Sequence, residues 1–156
     1  MRRSDLEITD TADILAVIER CDVFRLALAL DNHPYIVPMN FGYEYTDGRL
    51  TLYCHCAKEG KKLDIIRANP NVCFEMDSNH KLITGKNACD YTMNYESVIG
   101  FGQVSLCDDI SAKEHALHLL MQKYSPDKHF SFTRMQLDSV VVLKLLVDSF
   151  TGKRHL

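Results

Sequence analysis

PYIVPMNFGYEYTDGRLTLYCHCAKEGKKLDIIRANP, residues 34–70, is the stretch whose reading decides the fold. Its first part, PYIVPMNFGYEY, is strand-like and closes at Thr46-Asp47-Gly48. An Asp-Gly pair between two such runs signals a hairpin, here leading into RLTLYCHC. Immediately upstream, VFRLALALD is a further β-rich run that ends at Asp31-Asn32-His33-Pro34, where Asn and Pro both favour a turn. Three consecutive strands joined by tight turns predict an antiparallel meander, hence a barrel or sandwich and not a parallel sheet. Pro38 has no N–H to give to a ladder, so its strand is an edge or is interrupted there, and backbone groups are left free. Between Lys58 and Asn69 the pattern turns helical, with Leu63, Ile65 and Ile66 among charged residues, and Asn69-Pro70 ends it.

Working outward, a first helix is expected from Thr11 to Cys21, with N-cap oxygens at Thr9, Asp10 and Thr11 and Ile14, Leu15 and Ile18 on one face. NVCFEMD is a further strand. SNHKLITGKNACDYTMN is polar and turn-rich, which predicts an irregular surface excursion. YESVIGFGQVSLCDD resumes the β pattern, its glycines at 100 and 102 suggesting a bulge or a close backbone approach. Ser111-Ala-Lys-Glu114 has the form of a capping box before Leu117, Leu120, Met121 and Tyr124 at helical spacing. DKHFSFTRMQ is expected to be a loop, and SVVVLKLLVDSF a strongly β-branched final strand. With no repeat, low-complexity tract or linker, residues 1–156 form one domain of the α+β class, mainly β: an antiparallel barrel with flanking helices.

A chain of 156 residues can bury roughly two-thirds of its unfolded surface, so it needs no metal or disulfide staple. The net charge of −3 lacks the basic excess that would neutralise a row of phosphates, which argues against a nucleic-acid partner. No segment approaches the roughly 18 apolar residues of a membrane span, and no signal-peptide pattern follows Met1. The expected location is cytoplasmic. The six cysteines contain no C-x-x-C pair, and several lie in apolar strand-like runs, as expected of reduced, buried thiols.

Chemistry concentrates in YCHCAKEGKKL, residues 53–63, which sets His55, Lys58, Lys61 and Lys62 around a helix start. A helix N-terminus presents unpaired N–H groups and the positive end of the macrodipole, so neighbouring lysines make an anion site, and Gly60 would let a phosphate come close. Spacing alone does not separate this from a solvated lysine face. Cys54-His55-Cys56 suits zinc poorly, because residue 55 of a strand points away from 54 and 56. A thiol nucleophile beside His55 is a further reading, without a third group to orient it. His115 and His118 show no acidic or cysteine partner in register and read as surface residues.

The order of the pieces resembles the flavin-binding split-barrel proteins of the pyridoxamine 5′-phosphate oxidase-like family, in particular the nitroimidazole-resistance group. The shared features over Pro34–Asp77 are a PxxxP strand, a hairpin, a Tyr-x-His element, a Gly-Lys-Lys helix start and an Asn-Pro helix end. Residues 89–104 and the closing Asp148–Lys153 extend the likeness. The resemblance implies an antiparallel split β-barrel and a homodimer with FMN at its interface. It assigns Lys61 and Lys62 to the phosphate with His55 beside them, and Pro38, Met39, Asn40 and Phe41 to the isoalloxazine edge. Ser97 and Gln103 are lesser candidates for ring or phosphate contacts. The implied activity is an FMN-dependent oxidoreductase passing electrons to a small aromatic or nitro-type acceptor. The alternatives are FAD or haem in the same fold, and a non-catalytic carrier of flavin or haem. The C-terminal Gly-Lys-Arg-His-Leu lacks the arginine-rich substrate site of pyridoxamine-phosphate oxidases proper, so vitamin B6 oxidation is not implied.

Overall fold

A computed structural model describes residues 3–156. In chain order its elements are β1 (Glu7–Ile8), α1 (Thr11–Arg20), β2 (Phe24–Leu30), β3 (His33–Met39), β4 (Gly42–Thr46) and β5 (Arg49–Cys56). They continue as α2 (Lys61–Ala68), β6 (Asn71–Ile83), β7 (Thr92–Cys107), α3 (Ile110–Tyr124), α4 (Arg134–Ser139) and β8 (Val141–His155). The strands form one antiparallel sheet in the order β3-β2-β6-β7-β8-β5-β4, with β1 added on β8. The two ends of this path are not joined, so the barrel is split. No helix among the described residues is long and apolar enough to cross a membrane.

The inner face carries Leu26, Leu28, Leu52, Phe74, Met76, Val98, Leu143 and Leu145, closed by Val17 and Ile18 of α1 and Leu63 and Ile66 of α2. A second, smaller cluster lies outside the barrel, where α3 and α4 bring Ala116, Leu117 and Leu137 against Tyr53, Cys107 and Val142. β5 is therefore covered on both faces along most of its length, which is why it reads as a nearly unbroken apolar run. α3 lies so close to β4 that a Cβ on Gly42 would stand 2.4 Å from the backbone nitrogen of Leu120.

Several expectations need correction. PYIVPMNFGYEY is not one strand of a meander: it breaks at Asn40-Phe41, and its halves β3 and β4 occupy opposite edges of the sheet. β3 is an edge, one of the two outcomes open to the strand of Pro38, bonded to β2 alone with Pro38 opposite Arg25. The polar stretch after NVCFEMD is not irregular, because β6 continues to Ile83 and pairs with β7 beyond a register shift at Ser78–Lys81. Positive φ at Asn79 marks that shift, an angle Asn tolerates better than most residues. α3 opens at Asp109, whose carboxylate takes the Ala112 N–H at 2.8 Å, two residues before the expected Ser111 cap. Within DKHFSFTRMQ, Thr133 and Gln136 form a capping box that starts α4. α2 begins at Lys61, not Lys58, because Gly60 at φ 140° ends the loop before it.

Candidate functional site

The end of β3, the end of β5 and the first turn of α2 meet at one groove of about 280 Å³. It is lined by Pro38, Met39, Asn40, His55, Cys56, Ala57 and Lys62. β3 delivers its lip because it is an edge: Met39 turns into the core while the chain leaves the sheet at Asn40. The Asn40 amide donates to the Asp22 carbonyl at 3.2 Å. The Tyr124 hydroxyl donates to the same carbonyl at 2.6 Å and accepts the Phe41 N–H at 3.1 Å. The opposite wall is β5, whose alternation sends Cys54 and Cys56 inward and His55 outward.

Gly60 connects β5 to α2. At φ 140° and ψ 157° it sits in a region that is essentially reserved for glycine, and a Cβ there would meet nothing within 4 Å. The requirement is thus one of backbone conformation and not of space. Its carbonyl accepts the Leu63 N–H at 2.9 Å and that of Asp64 at 3.4 Å, so the preceding N–H groups point out of the helix end. Asn69 fixes the far end: its side chain donates to Ala29 O at 2.9 Å and accepts the Asn71 N–H at 3.2 Å.

Burial, seconded by the nearby charge of Lys62, pushes the His55 imidazole below its ordinary pKa. This favours the neutral ring, which can donate at one nitrogen and accept at the other. The Cys54 thiol is pushed up to about 12, chiefly by burial, and that of Cys56 is raised for the same reason. Both stay protonated, which removes the driving force for a thiolate nucleophile. With the Lys62 ammonium, the His55 ring and the Asn40 amide around Pro38, Met39 and Ala57, the groove offers hydrogen-bonding groups and one positive charge, a set that fits an anionic ligand.

Of the residues singled out from sequence, the structure brings together Pro38, Met39, Asn40, His55 and Lys62. Lys61 stands just outside, its ammonium 4.8 Å over the Tyr35 ring. Phe41 is fully buried, packed at 5.4 Å against Phe24, and its N–H is spent on Tyr124, so it lies behind the groove. Ser97 and Gln103 are on β7, two strands from β5 in the sheet, and Gln103 donates instead to Asn71 at 3.2 Å. Cys56 and Ala57 were missed; the alternation of RLTLYCHC hides the first as a core thiol, and nothing marks the second. Both helix histidines have acidic partners: His118 faces Glu114, four residues back on α3, at 3.9 Å, and His115 meets Glu44 of β4 at 3.0 Å, which also accepts from the Tyr53 hydroxyl at 2.5 Å. Glu44, 71 residues from His115, is invisible to helical register, whereas Glu114 is in register with His118. A larger hollow of about 480 Å³ lies between α1 and β8, but Glu7 and Asp148 line it and no lysine or arginine does.

A family model for pyridoxamine 5′-phosphate oxidase matches residues 10–154. A candidate 5-nitroimidazole antibiotic resistance protein from Bacteroides thetaiotaomicron is 37% identical, with a TM-score of 0.83 over 96% of this chain and 86% of that one. The FAD and haem binding protein of Mycobacterium smegmatis shares the fold at 19% identity, with a TM-score of 0.81 over 95% of this chain and 72% of its own. A FAD-binding protein of Mesorhizobium loti does so at 24% identity and a TM-score of 0.65, over 94% and 96% of the two chains. No curated protein sequence matches.

Proposed function

The chain belongs to the pyridoxamine 5′-phosphate oxidase family, in its nitroimidazole-resistance-like group, and from that premise we propose that it is an FMN-binding oxidoreductase acting on a small aromatic or nitro-type acceptor. The observation that carries this reading is the convergence of Lys62, His55 and the free end of β3 on one groove at a helix start. Lys62 and the first N–H groups of α2 would hold the phosphate, with Lys61 adding charge from its rim. The edge backbone after Pro38 offers unpaired donors and acceptors to the polar edge of a flavin ring. Neutral His55 can hydrogen-bond a ligand without adding positive charge. The flavin supplies the redox chemistry; the chain binds, orients and shields it.

A homodimer with the cofactor at its interface is part of the proposal. At about 280 Å³ the groove falls below the usual range of roughly 300–1,000 Å³ for a ligand pocket, as half of a shared site would. The outer sheet face supports the same reading. Ile36 is 61% exposed and Phe101 56%, and both belong to one row of paired residues that runs through Ala27 and Cys73. Ile99 and Leu146 extend this apolar patch. The accessible surface, 9483 Å², exceeds the roughly 8,000 Å² expected of a compact monomer of this mass. The excess is larger than the roughly 800 Å² that each partner gives to a standard interface. A cytoplasmic location accords with six unpaired cysteines.

The test is to load the purified protein with FMN, remove free ligand by gel filtration, reduce it anaerobically and add a nitroimidazole. Retained flavin bands whose oxidised absorbance returns faster with the nitro compound than with buffer support the proposal. A colourless protein overturns the cofactor assignment. Retained flavin that the acceptor does not reoxidise overturns the oxidoreductase part and leaves a carrier.

A further inference from the structure

β8 is paired along almost its whole length on one side and only in part on the other. β7 takes it from Val142 to His155. The opposite edge meets β5 over Val141–Leu146 and β1 at Gly152–Lys153. Between them, Val147–Thr151 lack a strand on that side among the described residues, and no turn or loop bonds their backbone there. Alternate residues of an antiparallel strand direct their N–H and C=O to the same side, so part of this stretch turns its donors and acceptors into an open gap.

A bulge shapes the gap. Phe101 pairs with Ser149 and Gly102 with Val147, which leaves Asp148 as the extra residue. Val147 and Phe150 therefore both pack on the core, where strict alternation would send them to opposite faces. Behind the gap lies the hollow of about 480 Å³ between the β4–β5 turn and the start of α1, within the usual range of roughly 300–1,000 Å³ for a ligand pocket. Ile8, Ile14, Leu50, Val147 and Phe150 form its apolar wall, and Glu7 and Asp148 supply its charge. Neither carboxylate is held in an ion pair among the described residues. Lys153, opposite Glu7 in the sheet, instead holds its ammonium 5.2 Å from the centre of the Tyr95 ring.

We propose that this gap is a strand-addition site for an extended peptide of apolar–basic–apolar pattern. The peptide backbone pairs with Val147–Thr151, its basic side chain meets Asp148 and Glu7, and its apolar side chains reach the wall of Ile8, Leu50 and Phe150. A basic peptide is favoured over an acidic one because two carboxylates line the hollow and no lysine or arginine does. The hollow touches β5 at Leu50, near its start, whereas the groove of Lys62 touches it at His55 and Cys56, its end. The two sites are separate, and the peptide site does not depend on the flavin assignment.

The experiment is calorimetric titration of the full-length protein with the peptide acetyl-Thr-Val-Arg-Val-Thr-amide. Two control peptides accompany it: one N-methylated at its three central residues, and one with Glu in place of Arg. The expected result is binding of the parent peptide and a loss of at least about tenfold in affinity for each control, the first from missing backbone donors and the second from reversed charge. Asp148→Asn, at an exposed position, should keep the fold and weaken the parent peptide by about threefold to tenfold. Amide hydrogen exchange within Val147–Thr151 should slow when the parent peptide is added and stay unchanged at Pro38–Lys62. Absence of binding at millimolar peptide overturns the proposal, as does equal binding of all three peptides or protection that falls outside Val147–Thr151. Slow exchange of the whole stretch before any peptide is added shows the gap already covered and overturns it too.

Discussion

The Tyr124 hydroxyl accepts the backbone N–H of Phe41 at 3.1 Å, tying the end of α3 to the point where β3 gives way to β4. The same hydroxyl donates to Asp22 O, which also takes the Asn40 amide, so one oxygen anchors the lip of the groove. Tyr124→Phe leaves a buried donor unpaired and should lower stability by about 1–3 kcal/mol. Calorimetric unfolding with and without FMN checks it, and a larger loss in the loaded protein is expected because the lip is part of the site.

Lys62 and Lys61 are adjacent in sequence but unequal in place. Lys62→Ala should weaken FMN binding by about 10- to 100-fold, the scale of one charge-assisted contact to a phosphate. It should change riboflavin binding little, because riboflavin has no phosphate. Lys61→Ala should have the smaller effect, its ammonium being held over Tyr35. Quenching of flavin fluorescence measures these constants in the wild type and both variants, and equal losses for FMN and riboflavin would displace the phosphate from Lys62.

Glu96 is a buried carboxylate that accepts from Arg20 at 2.7 Å, Arg154 at 2.6 Å and Asn79 at 2.5 Å. Burial alone would raise its pKa, but these bonds outweigh burial and hold it below the ordinary range. A carboxyl depressed on folding adds stability that is complete above its unfolded pKa of about 4.5 and fades as pH falls through the lower folded value. Both arginines reach solvent, so Glu96→Gln should cost about 2–3 kcal/mol at pH 7 and less at pH 3. Urea midpoints from pH 3 to 7 should converge toward the acid end.

Gly60→Ala should destabilise the chain by about 1–3 kcal/mol although its Cβ meets nothing, since the penalty lies in the backbone angle. Loosening of the helix start should also weaken FMN. Thermal melts paired with the same fluorescence titration test this, and an unchanged melting temperature would show that the loop relaxes freely.

Much of the architecture could be read from local signals. Asp47-Gly48 announced the β4–β5 hairpin, Asn69-Pro70 the end of α2, and the proline at 38 an edge or an interruption, of which the structure shows the edge. Five of the nine residues proposed for the site line one groove because Pro38–Asn40 and His55–Lys62 are short segments that share a rim. What escaped reading depended on distance along the chain. Nothing near Phe41 shows that Tyr124 will take its N–H and draw the side chain into the core, and nothing near His115 points to Glu44. The polar composition of residues 78–94 disguised a strand pair because only one side of an exposed ribbon needs apolar residues. Ser97 and Gln103 have the same alternation as any polar outer-face position, which gave no means of placing them relative to α2.

β8 joins the halves of the sheet: it lies between β7, the last strand of one side, and β5, the first of the other. During synthesis, β2, β3, β6 and β7 can assemble as one patch and β4 with β5 as another, but neither can seal against the other until residues 141–155 have left the ribosome. Most of the pairings that complete the fold thus form late and span long stretches of chain, a topology that folds slowly. For that interval the incomplete chain exposes the open edges of β5 and β7 to pairing with other chains, which makes truncations within β8 more damaging than their length suggests.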